Sequence, residues 1–234
     1  MRLFQKFTLS LCAVAAIAFG SAASAVAQST AATTAGNGTY VAIDPLAGVR
    51  YDNRYDVSLG MAYRHIKAGP NLNEGANLGG LDLNGSYWLS KHWGVEGNTR
   101  VSMGTSGAAP NTKSIQGPFI SEYLFAAGPE YLGPHNKHAA LIPHLLVGGV
   151  YGKFEQDLRG NSPSVVAFYN DQLAPAAVMG GHIDLNRSAN WVFRVSPDFI
   201  YTHYGINYGN ESSQSDINFA ISVGFEYKFN KKKR

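Results

Sequence analysis

The sequence predicts an all-β protein, an eight-stranded antiparallel up-and-down transmembrane β-barrel, and three observations support this fold class. Apolar and polar residues alternate with period 2 along eight long segments, as they do in strands whose two faces meet different surroundings. Short and long connections alternate along the chain, and aromatic residues gather near the segment ends. No long segment shows the 3.6-residue period of an amphipathic helix.

Residues 1–27 have the features of a secretory signal peptide. "MRLFQK" is basic, "FTLSLCAVAAIAFG" is apolar, and Ala25-Val26-Ala27 forms a small-x-small cleavage site. The apolar stretch falls short of the ~20 residues that a membrane-spanning helix needs, so we expect export through the Sec pathway. The only cysteine, Cys12, lies in this segment, and the mature chain is therefore expected to lack disulfides and thiolate metal ligands.

The charge balance argues against a nucleic-acid-binding protein. The chain holds 19 Lys and Arg against 16 Asp and Glu, but part of this excess lies in the signal peptide and part in residues 230–234, a basic C-terminal tail. The body between them has no basic excess, whereas a nucleic-acid-binding domain needs a basic stripe on a folded face. No nucleic-acid partner is expected.

Between the signal and the tail, the chain divides into an arm and a barrel domain. Residues 28–54 are rich in Thr, Ala and Gly and are predicted to form a flexible N-terminal arm. The piece from Tyr40 to Val49 could add a strand, but Pro45 interrupts it and favours the arm. Residues 55–229 are predicted to form the barrel.

The first four strands each present one apolar face. The first, 55–66, alternates regularly as "YDVSLGMAYRHI", and the second, 80–90, places Leu and Tyr opposite Asp, Asn and Ser. The third, 93–104, sets Trp, Val and Met against Glu, Asn, Arg and Ser. The fourth, 117–132, sets aromatic residues against two glutamates with less regular alternation.

The last four strands follow the same rule with one exception. The fifth, 140–154, is apolar on both faces, so its facing is left open. The sixth, 173–185, turns a histidine and an aspartate to one side, and the seventh, 191–204, opposes Trp, Phe, Val and Tyr to Arg, Ser, Asp and Thr. The eighth, 217–229, is "INFAISVGFEYKF", with Ile, Phe, Val and Tyr at every second position.

The connections differ in length according to the end of the barrel they occupy. "SKHW", "GPHNKH" and "NRSAN" are short turns, whereas the other four connections are long and polar. Outer-membrane barrels have short periplasmic turns and long extracellular loops, and an even strand number places both termini on the periplasmic side. A soluble sandwich has no reason to sort its connections in this way.

The segments are also long enough to span a bilayer. A strand of ~11 to 13 residues at ~3.3 Å per residue, tilted by about 40°, rises roughly 28 to 33 Å, enough for an apolar band of ~25 Å. Soluble strands more often have ~5 or 6 residues. The architectural alternative is a soluble lipocalin-like barrel with its apolar face inward, which would be extracted without detergent.

If the apolar faces meet lipid, the polar faces line the lumen. An eight-stranded barrel is about wide enough to be filled by side chains, and charges of both signs in so narrow a space are expected to pair. The sequence therefore predicts an ion-pair network across the lumen. Its predicted members are Arg64, Asp82, Glu96, Arg100, Glu122, Asp184, Arg194, Asp198, Glu226 and Lys228.

Aromatic residues are predicted to form two girdles at the membrane interfaces. Near the short-turn rim these are Tyr55, Tyr87, Trp93, Tyr131, Trp191, Tyr227 and Phe229. Near the long-loop rim they are Tyr63, Tyr151, Phe154, Tyr201 and Tyr204.

Predicted strands contain Pro143, Pro175 and Pro197, although a closed barrel has no free edge to accept a missing donor. Pro143 and Pro175 can lie near the rims, but Pro197 is near the middle of the seventh strand. We expect a β-bulge at Pro197.

Four segments, "YDNRYDVSLGMAYRHIKAGP", "GGLDLNGSYWLSKHWGVEG", "WVFRVSPDFIYTHYG" and "GFEYKF", resemble small outer-membrane β-barrel proteins of Gram-negative bacteria, the broad family similar to the eight-stranded transmembrane domain of outer membrane protein A. The resemblance covers 55–229. It implies a monomer in the outer membrane of the cell envelope, surrounded by lipid and lipopolysaccharide. Phe225, Tyr227 and Phe229 resemble the C-terminal signal for the barrel-assembly machinery, although five residues follow Phe229 here.

Motifs for chemistry are nearly absent, and no catalytic, cofactor or metal site is predicted. "GGVYGKF" lacks the first Gly and the Ser or Thr of a phosphate loop. His135 and His138 flank a turn beside His144 and could bind a metal adventitiously, but a solvated turn is favoured. Some barrels that resemble this one hydrolyse lipid with a His and a nearby Ser. His203 has Gly205 two residues on, where that family has Ser.

These observations favour one function and leave two alternatives. The favoured function is a non-enzymatic integral outer-membrane β-barrel protein with a side-chain-filled lumen, structural or surface-interacting through its long extracellular loops. The first alternative is a porin-like narrow pore for small solutes. The second is a lipid A-modifying hydrolase that uses His203 with Ser212, Ser213 and Glu211 of the following loop.

Overall fold

The computed structural model describes residues 44–70, 75–107, 115–206 and 213–229. The predicted signal peptide, the first part of the predicted arm and the basic tail at 230–234 lie outside these ranges and stay predictions. Within the described ranges, no helix is long and apolar enough to cross a membrane.

Eight antiparallel strands close into one barrel in chain order, and the predicted fold class is confirmed. Each strand pairs with its sequence neighbours, and the first pairs with the last from Tyr55 opposite Phe229 to Arg64 opposite Ala220. The strands are β1 Tyr55–Ile66, β2 Ala76–Trp88, β3 Trp93–Ser106, β4 Phe119–Tyr131, β5 Ala139–Lys153, β6 Gln172–Asn186, β7 Trp191–Gly205 and β8 Ser213–Phe229.

The second strand begins four residues earlier than its sequence predicts. The ladder between β1 and β2 continues until Ile66 lies opposite Ala76, so "ANLG" belongs to the strand and not to the loop. Immediately after the extension, glycine lets β2 approach β3, because a Cβ on Gly80 would collide with the carbonyl oxygen of Val101 on β3. Residues that suggest a loop in the sequence here allow two strands to approach closely.

The prediction of a β-bulge at Pro197 is wrong. On one side β6 and β7 keep a single register from Gly180 opposite Asp198 to Ile183 opposite Val195, and on the other Pro197 lies opposite Ile221. An inserted residue would move every side chain beyond it to the opposite face of the sheet. The register is kept because residues on both sides of Pro197 must point into the lumen.

Two of the short turns are closed by the same kind of hydrogen bond, from a tryptophan N–H to a serine hydroxyl. In the β2–β3 turn, the backbone N–H groups of Leu89 and Ser90 donate to the carbonyl of Trp93, and the Ser90 hydroxyl accepts from the Trp93 N–H at 3.0 Å. In the β6–β7 turn, Ser188 accepts from the Trp191 N–H at 3.1 Å. A serine three residues before a tryptophan therefore closes both turns, since a Ser hydroxyl can satisfy nearby backbone donors.

The longest described connection lies between β5 and β6 and folds over the barrel mouth. It contains one short helix, α1 Pro163–Val166, which begins with proline at a position where no N–H partner is needed. Asp171 accepts hydrogen bonds from the backbone N–H groups of Phe154 and Glu155 at 2.6 and 2.9 Å. These bonds hold the two ends of the loop together.

Residues 44–54, the described part of the predicted arm, lie against the short-turn end of the barrel. Residues 45–48 form a turn, so the described part of the possible extra strand is not a strand. The Tyr51 hydroxyl donates to the carbonyl of Asn136 at 2.9 Å and accepts from the Asn186 amide at 2.7 Å. The boundaries of the arm stay a prediction, but its last residues are held at the rim.

Candidate functional site

The outward face of the barrel is apolar and the charged side chains point inward. Along β8, Ile217, Phe219 and Phe225 are 72%, 45% and 57% exposed, whereas Glu226 and Lys228 are buried. All backbone groups of a closed ladder pair within the sheet, which a bilayer requires. A lipocalin-like barrel would have the opposite facing, so that alternative is wrong and the fold is a transmembrane barrel.

Aromatic side chains contact one another around the short-turn rim. Tyr55 lies 5.1 Å from Tyr87 between ring centroids, and Trp93 lies 5.0 Å from Tyr131. Trp191 and Tyr227 are 5.1 Å apart, and Tyr227 and Phe229 are 4.9 Å apart. These contacts include all seven residues of the predicted short-turn girdle; three of them join neighbouring strands, and the fourth, between Tyr227 and Phe229, lies within β8.

Only part of the predicted long-loop girdle faces outward in the structure. Tyr151 and Tyr201 face outward, each 39% exposed, and the hydroxyl of half-buried Tyr63 donates to Asn77 on the next strand. Phe154 and Tyr204 are 0% and 2% exposed and lie inside the barrel, so their placement in the girdle is wrong. Tyr204 shares the inward parity of the other buried residues of β7, and Phe154 begins the loop that folds into the mouth.

The middle of the lumen holds a network around Arg100. Its guanidinium donates to Asp82 at 3.0 Å and to Asp198 at 2.6 Å, and all three side chains are at most 2% exposed. Asp82 also accepts from the Ser222 hydroxyl at 2.6 Å and from the Asn98 amide at 2.7 Å. Strands β2, β3, β7 and β8 are therefore tied together across the barrel interior.

A second network surrounds Arg194 closer to the short-turn end. Arg194 donates to Asp184 through two nitrogens, at 2.7 and 2.9 Å, and to Glu226 at 2.8 Å. This two-point contact is the strong geometry for a guanidinium and a carboxylate. Nearer the long loops, Arg64 forms a third, smaller network with Glu122, which also accepts from the Tyr204 hydroxyl.

Eight of the ten predicted network residues are thus placed in arginine–carboxylate networks, and two are not. Lys228 is buried, but it donates to the Asn186 side-chain oxygen at 3.3 Å and lies 4.4 Å from the centre of the Tyr51 ring. Glu96 contacts two histidines, His144 and His182, in place of an arginine. The partners in both exceptions were not predicted as members of the lumen network.

The histidine group lies between the two larger networks. Glu96 Oε2 is 2.8 Å from His144 Nδ1 and 3.1 Å from His182 Nε2, and the two nitrogens are 3.3 Å apart. The outer nitrogens contact Asp198 at 3.2 Å and Ser196 at 2.7 Å. These are the residues in the described ranges whose nitrogen and oxygen atoms could hold a metal ion together.

His144 was grouped with the wrong neighbours in the sequence. His135 lies in the β4–β5 turn and not in the lumen, and its ring contacts the Gly133 carbonyl and the Tyr51 ring. His144 is buried on β5 and faces the lumen. The sequence held one signal for this facing. β5 is apolar on both faces, and the face that carries a histidine is the one expected to turn away from lipid.

The lumen is apolar on its long-loop side, which the sequence pattern did not predict. Ile120, Leu124, Leu146, Val150 and Ile200 point inward from three strands, β4, β5 and β7, and are at most 1% exposed. The β5–β6 loop covers them with a second layer of buried side chains, namely Phe154, Leu158, Val166, Phe168 and Tyr169. The inward face is therefore polar over only part of its length.

The short-turn end is closed by the arm. Tyr51 and Trp88 pack on a small apolar cluster of Leu132, Ala140 and Ile142. Burial raises the pKa of the Tyr51 hydroxyl above its usual value. A cavity behind these residues has a volume of about 10 Å³, room for about one water molecule. An open groove of about 580 Å³ lies outside, beside the β2–β3 turn.

The predicted hydrolase residue His203 lies on the outward side near the long-loop rim. Its Nδ1 is 2.8 Å from the hydroxyl of Ser215 on β8, which also lies 3.0 Å from the Tyr201 hydroxyl. Ser213 is exposed at the start of β8, while Glu211 and Ser212 lie outside the described residues. The serine beside His203 is therefore Ser215, which the sequence pattern missed.

Several solved outer-membrane proteins are similar to this chain in fold. The attachment invasion locus protein Ail of Yersinia pestis is 18% identical with a TM-score of 0.43, and the match covers 76% of this chain and 99% of Ail. OprG from Pseudomonas aeruginosa is 12% identical with a TM-score of 0.49, covering 79% and 99%. AlkL is 16% identical with a TM-score of 0.47, covering 85% and 99%.

These similarities agree with the resemblance to bacterial outer-membrane barrels, while the likeness to outer membrane protein A in particular is approximate. At such identities and TM-scores they concern the architecture and carry no argument about activity or ligand. No family model matches the sequence, and no curated protein matches it.

Proposed function

We propose that this chain is a non-enzymatic integral protein of the bacterial outer membrane, with a closed lumen and a surface-interacting or structural role carried by its long extracellular loops. One observation supports this most directly, namely that side chains fill the lumen at every described level. A barrel without a water path is a rigid support for its loops.

Buried side chains at successive levels of the described barrel support a closed lumen. At the short-turn end Tyr51 covers Lys228, and the Arg194 and Arg100 networks fill the next levels. Beyond them the apolar side chains of β4 and β5 meet the β5–β6 loop. A conducting path would require breaking buried ion pairs and exposing apolar side chains, and both changes are unfavourable.

The same proposal assigns surroundings and partners. The exposed apolar band and its aromatic pairs contact outer-membrane lipid and lipopolysaccharide, because rings with one apolar and one polar end favour the interface. The outward side of β8 serves as the contact with the barrel-assembly machinery after export through the Sec pathway. The barrel has no unpaired strand edge, which favours a monomer.

A conductance measurement on purified protein in planar lipid bilayers tests the closed lumen. We expect no sustained, reproducible current steps from protein whose folding is verified by heat-modifiable migration on a gel. Fractionation of cells should place the protein in the detergent-extracted outer membrane. Reproducible steps of one size would support the narrow pore instead, and recovery in the soluble fraction would contradict the membrane location.

The contact between His203 and Ser215 keeps lipid hydrolysis as a second candidate function. A histidine nitrogen 2.8 Å from a serine hydroxyl is within reach for proton transfer, and both residues lie where lipid headgroups would be. We favour a non-enzymatic role because in the described ranges no carboxylate contacts the His203 ring, and a base of this kind is usually oriented by a third group.

An assay of fatty-acid release from lipid A separates the two functions. We expect no release by the folded wild-type protein. Release that is lost in both His203→Ala and Ser215→Ala would overturn the non-enzymatic proposal. His65→Ala is the matched control and should leave any release unchanged. His65 on β1 forms a similar rim contact with Asn77 on β2, at 2.9 Å, but has no serine beside it in that contact.

A further inference from the structure

We propose that Glu96, His144 and His182 form a binding site for one transition-metal ion inside the lumen, of the kind that Zn²⁺ occupies. The site would be a structural one, joining β3 to β5 and β6 in the interior of the barrel. It is separate from the loops and the rim that carry the proposed function.

The three ligand atoms already have the spacing that a metal imposes. They form a triangle with sides of 2.8, 3.1 and 3.3 Å between Glu96 Oε2, His144 Nδ1 and His182 Nε2. Ligands bound to one Zn²⁺ at about 2.0–2.1 Å lie about 2.8–3.0 Å apart in octahedral geometry and about 3.3–3.4 Å apart in tetrahedral geometry. Adjustments of a few tenths of an ångström would therefore seat an ion.

The backbone register brings these residues together from three strands. His182 is paired with Ile142 and His144 with Gly180, so the two histidines are diagonal neighbours on the lumen face of β5 and β6. Their rings meet nearly edge-on, at an interplanar angle of 80°. Glu96 reaches them from β3, and its position places a negative charge at the meeting point of two nitrogens.

The outer nitrogens of both histidines have partners that orient the rings. His144 Nε2 faces Asp198 at 3.2 Å, and His182 Nδ1 faces Ser196 at 2.7 Å. Metal-bound histidines commonly donate their second N–H to a carboxylate or another oxygen in this way. When both outer nitrogens donate and both rings are neutral, both inner nitrogens direct lone pairs at the Glu96 oxygen. A metal ion bound at the inner nitrogens would remove this repulsion, and added protons are the competing occupant that the test below distinguishes.

Glu96 has further capacity to bind an ion. Its Oε1 is buried without a hydrogen-bond partner among the described residues, and the side chain is 0% exposed. An uncompensated buried carboxylate oxygen is costly, and a second oxygen bond to the metal would satisfy it. Histidine and carboxylate ligands without thiolate suit Zn²⁺ and also Co²⁺, which reports its coordination by visible absorption.

Refolding of the full chain in detergent with Co²⁺ or Zn²⁺ tests the site, because the buried ligands are expected to take up metal as the barrel forms. We expect one ion per folded chain after removal of free metal, measured by elemental analysis, and a Co²⁺ absorption typical of nitrogen and oxygen ligands. His144→Gln and His182→Gln should each abolish retention, whereas His138→Gln in the β4–β5 turn should leave it unchanged.

Two further measurements keep the test decisive if a ligand variant fails to fold. Ser196→Ala removes only an orienting partner and should weaken metal affinity by roughly 10- to 100-fold. Wild-type protein should also resist urea to a higher concentration with Zn²⁺ than after chelation. Folded wild-type protein that retains no ion, or retention that is unchanged in His144→Gln and His182→Gln, would show that protons alone occupy this cluster and would overturn the proposal.

Discussion

The two halves of the lumen are filled in opposite ways. Towards the short turns, Arg100 and Arg194 each contact two carboxylates, whereas towards the long loops Leu124, Leu146 and Ile200 pack against one another and against the β5–β6 loop. Arg64 and Glu122 form an ion pair among these apolar residues. The boundary between the halves coincides with the level of the Arg100 network.

The two kinds of filling are expected to contribute differently to the specificity of strand pairing and to the free energy of unfolding. A buried ion pair largely offsets its own desolvation, so it adds little net stability, but removing one partner leaves a costly buried charge. Apolar side chains gain about 0.8 kcal/mol for each buried CH₂ group. We therefore expect the charged half to disfavour incorrect strand pairing, and the apolar half to supply stability and the surface against which the loop packs.

The largest effect is expected from breaking the central network. Arg100→Met leaves Asp82 and Asp198 without their guanidinium and should lower the free energy of unfolding by about 3–5 kcal/mol. Urea unfolding in detergent, followed by gel mobility, measures the loss. Lys67→Met is the control, because its contact with Asp216 is 3.2 Å long but Lys67 is 48% exposed, and a change of about 0–1 kcal/mol is expected. Equal losses in the two variants would contradict the comparison.

An intermediate effect is expected in the apolar half. Leu146→Ala creates a cavity beneath the β5–β6 loop and should cost about 3 kcal/mol, without opening a conducting path. The neighbouring Leu145 faces outward and is 51% exposed, so Leu145→Ala should cost about 1 kcal/mol or less. The same unfolding assay measures both, and a similar loss in both variants would show that the inner and outer faces are not distinguished.

The smallest effect is expected where the arm closes the charged half. Tyr51→Phe removes the hydrogen bonds to Asn136 and from Asn186 but keeps the ring beside Lys228, so a loss of about 1 kcal/mol is expected. Unfolding midpoints of the two proteins at several pH values measure it.

The pH dependence of that loss follows from the Tyr51 hydroxyl. Burial raises its pKa in the folded state, so its stabilising effect is fully present below the unfolded value of about 10 and is lost as pH rises through the folded pKa. The difference between wild type and Tyr51→Phe should be constant below about pH 10 and shrink above it. A difference that grows with pH would contradict the placement of Tyr51 at the rim.

Much of the charged half could be inferred from local pattern. Asp82 lies opposite Arg100 across one short turn, and Asp184 lies opposite Arg194 across another. A tight turn sets the register of its two strands, so these pairs follow from alternation and turn length alone. The contact of Arg100 with Asp198 does not follow, because β3 and β7 are not neighbours.

The apolar half could not be inferred in the same way. On β5 both faces are apolar, and period-2 alternation cannot distinguish a lipid-facing leucine from a buried one. Phe154 and Tyr204 illustrate the error, since an aromatic residue near a strand end suits an interface girdle and an apolar core equally well. Their burial depends on a loop that folds into the barrel, which the strand pattern does not contain.

The amino-acid sequence by itself determined the number of strands, the faces that all of them except β5 present and the end at which each connection lies, because these depend on period-2 alternation and on neighbouring segments. Only the tertiary structure decided which side chains meet across the lumen, including Glu96 with His144 and His182. The reason is physical: residues of non-adjacent strands share a level only after all eight registers add up around the closed barrel, and their stagger sets those partners.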